Sequence, residues 1–147
     1  MHLRIDDFMG FVATSRVEPW RPAAERQNRV LGGAVAAAAL QFAAGGYSVV
    51  VDGHIFPEAL DELAPWCEAR GVELHYAVLR ADLPTCSRRA GSRVRDEPEA
   101  RDEFARLHAR YAELGAREAH VVDADGTPAA VAHAVLAGLS AGRLRVR

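Results

Sequence analysis

The period of the apolar positions changes several times along the chain, and each change marks an element. Residues 2–5, HLRI, predict a short strand running into Asp6-Asp7-Phe8. Residues 9–22 carry Gly10, Pro19 and Pro22 without any period and predict a loop. Residues 23–44 predict a long Ala-rich helix, stopped at Gly45-Gly46 where a left-handed cap is available. YSVVV, residues 47–51, is an unbroken apolar run, the pattern of a strand buried on both faces of a parallel sheet. Residues 57–70 predict a helix with Pro57 in its first turn and Gly71 just past its end. VELHYAVL, residues 72–79, is the next strand.

Asp82 can cap a helix over 83–94, and residues 96–115 predict another, acidic in its first turn and stopped by Gly115. AHVVD, residues 119–123, is a fourth strand. Thr127 caps a last helix with Pro128 at its first position and a buried stripe at 131, 135, 136 and 139. Strands alternating with helices imply parallel crossovers, hence an α/β fold with a parallel sheet and helices on both faces. A length of 147 residues suits one domain, 1–147, with no repeat or linker.

Composition narrows the function classes. Half of the residues are hydrophobic and 26% are charged, as in a folded globular chain. A net charge of -2 argues against nucleic acid or a membrane surface as partner. Cys67 and Cys86 lack metal-ligand spacing and read as free thiols of a reducing compartment. No signal peptide is visible, and the apolar stretch 34–44 is too short to span a bilayer, so a cytoplasmic location is expected. All eighteen basic residues are Arg; there is no Lys.

Three strands end in acid: Asp6 or Asp7, Asp52 and Asp123. In a parallel sheet those ends share one edge, where ligands bind. The competing reading is that each Asp caps the next turn, and DADG at 123–126 is good turn chemistry in itself. VVDADGT, 121–127, also matches the D-x-D-G-T motif of haloacid-dehalogenase-type phosphatases, but only twenty residues follow it, too few for that family's remaining machinery. Arg80, Arg88, Arg89, Arg93 and Arg95 cluster after the third strand. Arg89 and Arg93 are four apart, so on a helix they share a face suited to phosphate oxygens, or to a solvated basic surface facing the acids of 96–103.

In this order and spacing HLRIDDF, QN at 27–28, GGYSVVVDGHIFP, LRADLPTCSRRAGSR and HVVDADGTPAAVAHAVL resemble the small-molecule kinase branch of the P-loop NTPases. That branch contains shikimate kinase, gluconate kinase and chloramphenicol phosphotransferase, with related bacterial ATPases. The resemblance implies ATP and Mg²⁺ as cofactors, a small-molecule hydroxyl acceptor as partner and a strand order 2-3-1-4-5. By position it makes Asp6, or alternatively Asp7, the base for the acceptor hydroxyl. Asp52 would bind Mg²⁺ or the acceptor, and Arg89 and Arg93 would be lid arginines on the nucleotide phosphates. Asp123, Asp125 and Thr127 would pass near the adenine. Phe8, Arg16, Gln27 and Gly53 would join Asp6 and Asp52 around the acceptor, with Phe11, Trp20 and Arg21 also in the lining loop.

The departure lies at the phosphates. The family opens with a strand, the loop G-x-x-x-x-G-K-[ST] and a helix, whose N–H groups, Lys and Ser/Thr hold the β/γ-phosphates and Mg²⁺. This sequence starts at the second strand of that pattern and contains neither the loop nor any Lys. The expectation is an N-terminally truncated kinase relative missing the first, central strand, inactive as given and without tight ATP or Mg²⁺ binding. The alternatives are a non-catalytic binding remnant of the fold and an unrelated small α/β enzyme using Asp6, Asp52 and His54.

Overall fold

The structure is a computed structural model that describes residues 1–91 and 98–146, with backbone only for 98–101. In chain order it contains β1 (His2–Arg4), α1 (Ile5–Gly10), a 3₁₀ turn (Pro22–Ala24), α2 (Glu25–Ala44), β2 (Val50–Asp52), α3 (Pro57–Glu68), β3 (Val78–Arg80), α4 (Leu83–Ala90), α5 (Pro98–Arg110), a second 3₁₀ turn (Gly115–His120), β4 (Val121–Asp123) and α6 (Pro128–Ser140). The class is mixed α/β. Contacts divide the chain into two compact units, Met1–Glu73 and Leu74–Arg147.

In the first unit β1 and β2 pair in parallel, His2 opposite Val50 and Arg4 opposite Asp52. Leu3 and Val51 point inward, and the flanking residues of both strands point out. α1 packs on α2. Ala24, Val35, Leu40, Leu60 and Cys67 are buried, and burial pushes the Cys67 thiol up against the opposing pull of Arg70. α2 ends as expected for a glycine stop, with Gly46 at φ +89.

In the second unit β3 and β4 pair in parallel, Val78 opposite Val121 and Arg80 opposite Asp123. α6 packs on β4. Past α6 the chain turns back: the Tyr76 N–H donates to the Leu144 carbonyl at 2.8 Å and the Val146 N–H to that of Leu74 at 2.9 Å. That return buries Leu144 completely.

Several expectations are corrected. Asp6 and Asp7 do not end a strand; they occupy the first turn of α1, where carboxylates favour the helix dipole. The loop expected over 9–22 yields its start to that helix. Tyr47 and Val50 are exposed, so the YSVVV run is not buried on both faces. The strand over 72–79 contracts to 78–80, because His75 bridges antiparallel to Arg145 instead. Leu136 is 59% exposed and stands outside the buried stripe of α6. In place of one continuous sheet, the described residues form two parallel pairs.

Asp82 caps α4 by accepting the Thr85 N–H at 2.6 Å. Thr85, through its hydroxyl and then its N–H, holds the Asp82 carboxyl below the ordinary aspartate value of 3.8. A folded pKa below the unfolded one means that the stability from this charge is complete above 3.8 and is lost as the pH falls through the depressed value. Glu118, hydrogen-bonded by Arg80, acts in the same direction. Asp82→Asn keeps a good cap but removes the titration. We expect this variant to match the parent near neutral pH and to lose less stability in acid, as read by urea midpoints across a pH series. Parallel acid limbs in the two proteins would contradict it.

Candidate functional site

In the first unit the parallel register brings the C-terminal ends of β1 and β2 to one edge. Asp52 is the last residue of β2, and Asp6 lies just beyond β1 in α1. The partner of Asp52 is His2, whose Nε2 lies 2.6 Å from Asp52 Oδ2 on the outward face. Both side chains are a little over half exposed, at 55% and 56%. Sequence reasoning missed His2: it lies opposite Val50 and reaches Asp52 diagonally, which only the strand register reveals. Asp7 faces Arg4 at 3.8 Å, while Asp6 is exposed and has no partner among the described residues. Gly53 follows Asp52 at φ +145, beneath the Ile5 side chain.

The loop and α2 form the other part of this unit's candidate site. Phe8 stacks at a tilt on Phe11, with ring centroids 5.5 Å apart. Arg16 faces Glu18 at 3.5 Å. Both ends of the Gln27 amide hold Val17: its Oε1 accepts the Val17 N–H at 3.0 Å and its Nε2 donates to the Val17 carbonyl at 2.8 Å. Asn28 donates to the Pro19 carbonyl at 2.7 Å, leaving its Oδ1 buried without a donor. These two amides pin the loop onto α2.

In the second unit Asp123 ends β4 and turns inward on its own loop, its Oδ1 accepting the Asp125 N–H at 2.8 Å. Asp125 Oδ1 accepts the Asp82 N–H at 3.3 Å, and Thr127 caps α6 by accepting the Ala130 N–H at 3.3 Å. Arg89 spans this loop, donating to the carbonyls of Ala124 at 2.6 Å, Asp125 at 3.1 Å and Gly126 at 3.2 Å. These bonds take three of the five N–H donors of Arg89, so a phosphate would meet a guanidinium already largely engaged on backbone. Arg93 lies outside the described residues. His54 follows Gly53 on an exposed loop of the first unit.

The donor set bears on Mg²⁺ and ATP. Mg²⁺ takes one or two carboxylates and depends on substrate phosphates for much of the rest of its shell. Asp52 is one exposed carboxylate with an oxygen already held by His2, and no group of three or more His, Cys, Asp or Glu among the described residues could hold a metal. Among the described residues no helix is long and apolar enough to cross a membrane. No protein-family model matches the chain, and no curated protein matches it at a significant level.

Proposed function

We propose that the chain is a relative of the ATP-dependent small-molecule kinases that carries an acceptor and lid portion of that fold without the phosphate cradle, and that by itself it binds an acceptor but does not transfer phosphate. The observation that carries this reading is the pairing: β1 with β2 and β3 with β4, both parallel. The order 2-3-1-4-5 requires these two partnerships of its second with third and fourth with fifth strands. Asp52 ends β2 and Arg89 lies on α4, which is consistent with the roles proposed for them. The missing chemistry follows from the sequence. Phosphoryl transfer depends on preorganised positive charge and N–H groups around the β/γ-phosphates, and with no Lys and no glycine loop this chain supplies neither.

Titrating Mg-ATP into the purified chain should give no binding heat, and a coupled ADP assay should give no turnover. ATP turnover abolished by Asp52→Asn would overturn the inactivity. The kinship is tested by joining a strand, a G-x-x-x-x-G-K-[ST] loop and a helix ahead of Met1. Gain of Mg-ATP binding supports it, and a folded fusion that binds no nucleotide removes it.

A further inference from the structure

A depression of about 350 Å³ lies between the loop and α2, walled by Val12, Val17 and Val30, with Ser15, Arg26 and Gln27 as its polar groups. Its volume is at the lower end of ligand pockets, which run from roughly 300 Å³ upward. Both ends of the Gln27 amide hold Val17, which fixes its orientation and leaves it one N–H and one lone pair. Arg26 and Ser15 are different: neither side chain has a hydrogen-bond or ion-pair partner among the described residues. The nearby acids are engaged elsewhere, Glu25 with Arg29 at 2.8 Å and Glu18 with Arg16 at 3.5 Å. Ser15 is the one non-glycine residue among those described with positive φ, at 56°. A serine held in that conformation on a pocket wall carries backbone strain, which local structure must sustain.

The geometry points to a binding site for a small monocarboxylate with a compact apolar body. Its head would take the Arg26 guanidinium and the Ser15 hydroxyl, and its body would lie on the valines. One guanidinium and one hydroxyl match a single carboxylate, which a guanidinium can meet with two parallel hydrogen bonds. A phosphate dianion brings a second negative charge where the lining residues include a single cation, Arg26, and a neutral ligand leaves Arg26 without a counter-charge. As the acceptor of a kinase relative this ligand rests on the function proposed above; as a bound ligand it does not.

The test is amide-resolved NMR titration of the whole chain with 3-phenylpropionate, 3-phenylpropanamide and inorganic phosphate. The expected result is saturable shifts confined to residues 12–17 and 23–31 with the carboxylate, and at least about tenfold weaker binding of the amide, the size of one charge-assisted hydrogen bond. Arg26→Gln, at an exposed position, should weaken the carboxylate by a similar factor and leave the amide unchanged. Ser15→Ala should weaken it less. Equal affinity for acid and amide, an unaffected Arg26→Gln variant, shifts elsewhere, or no saturation by about 10 mM carboxylate, an affinity too weak to be a designed site, would each overturn the site. Carboxylate binding in a chain whose phosphate-loop fusion ignores Mg-ATP would keep this site and discard the kinase reading; the reverse result would do the opposite.

Discussion

Leu144→Ala should destabilise the chain by about 2–5 kcal/mol, the range for emptying a fully buried leucine site. Leu144 is 0% exposed. It lies where the chain returns past α6, and its methyl groups fill the space that Gly138 leaves on that helix. A Cβ on Gly138 would stand 2.9 Å from Leu144 Cδ1. The backbone on either side is tied down, by the Leu144 N–H to the Gly138 carbonyl at 3.4 Å and by the Tyr76 N–H to Leu144 at 2.8 Å. The site therefore cannot close by moving the return segment, and truncation leaves a cavity as well as lost transfer energy. Urea denaturation reads the effect as a lowered midpoint at unchanged slope. Leu136→Ala on the same helix is the control. That side chain is 59% exposed, so its loss should stay within about 0.5 kcal/mol. If the two variants behave alike, the packing of the return segment is not as described.

That segment also shows where sequence reading stops. Elements with a chemical signal at their ends were legible. Asp82 and Thr127 cap their helices, and Gly71 follows the end of α3 at φ +64; Gly115, expected to stop α5, lies past its end at Arg110 and opens the second 3₁₀ turn. Each signal is local, carried by a side chain or a missing Cβ. α1 gave no signal, because six residues are too few to display a helical period. The 72–79 run has a good strand pattern, but residue 145, remote in sequence, claims His75. Val50 and Leu79 look like core residues yet are 61% and 57% exposed. A two-stranded pair leaves each strand with one unpaired edge, and apolar composition alone does not say which strands a sheet covers.

The candidate site divides in the same way. Asp52 was legible as a strand end because Asp-Gly follows a β-branched run. Its partner His2 lies fifty positions away and is brought to it by parallel register. Arg89 was legible as a cation on the helix that follows the third strand. Its three carbonyl partners were not, since backbone acceptors have no sequence identity. The loop's attachment to α2 through Gln27 was likewise hidden, although the residue itself was singled out.

Gly53→Ala should be the other costly change, because two separate penalties meet at that residue. Its φ of +145 is a conformation that side-chain-bearing residues rarely adopt. Strain of that kind costs about 1–3 kcal/mol. A Cβ there would also meet three Ile5 side-chain atoms at 2.8, 2.9 and 3.0 Å. Forcing a methyl group into an occupied site adds about 1–3 kcal/mol. Gly46→Ala separates the two contributions. Gly46 has φ +89 and nothing within 4 Å of the added Cβ, so only the conformational cost of about 1–2 kcal/mol applies. We expect Gly53→Ala to lose about 3 kcal/mol or more, the sum of strain and overpacking, and Gly46→Ala less than half of that. Equal losses would remove the Ile5 contact from the account. The position also bears on the site. Gly53 directly follows Asp52, and Ile5 directly precedes Asp6. Relief of the clash must move the start of α1 or the end of β2, and either motion disturbs the His2–Asp52 contact. The His2 imidazole resonances should therefore shift in Gly53→Ala and stay in place in Gly46→Ala, which ties the glycine to the carboxylate edge and not merely to the stability of the first unit.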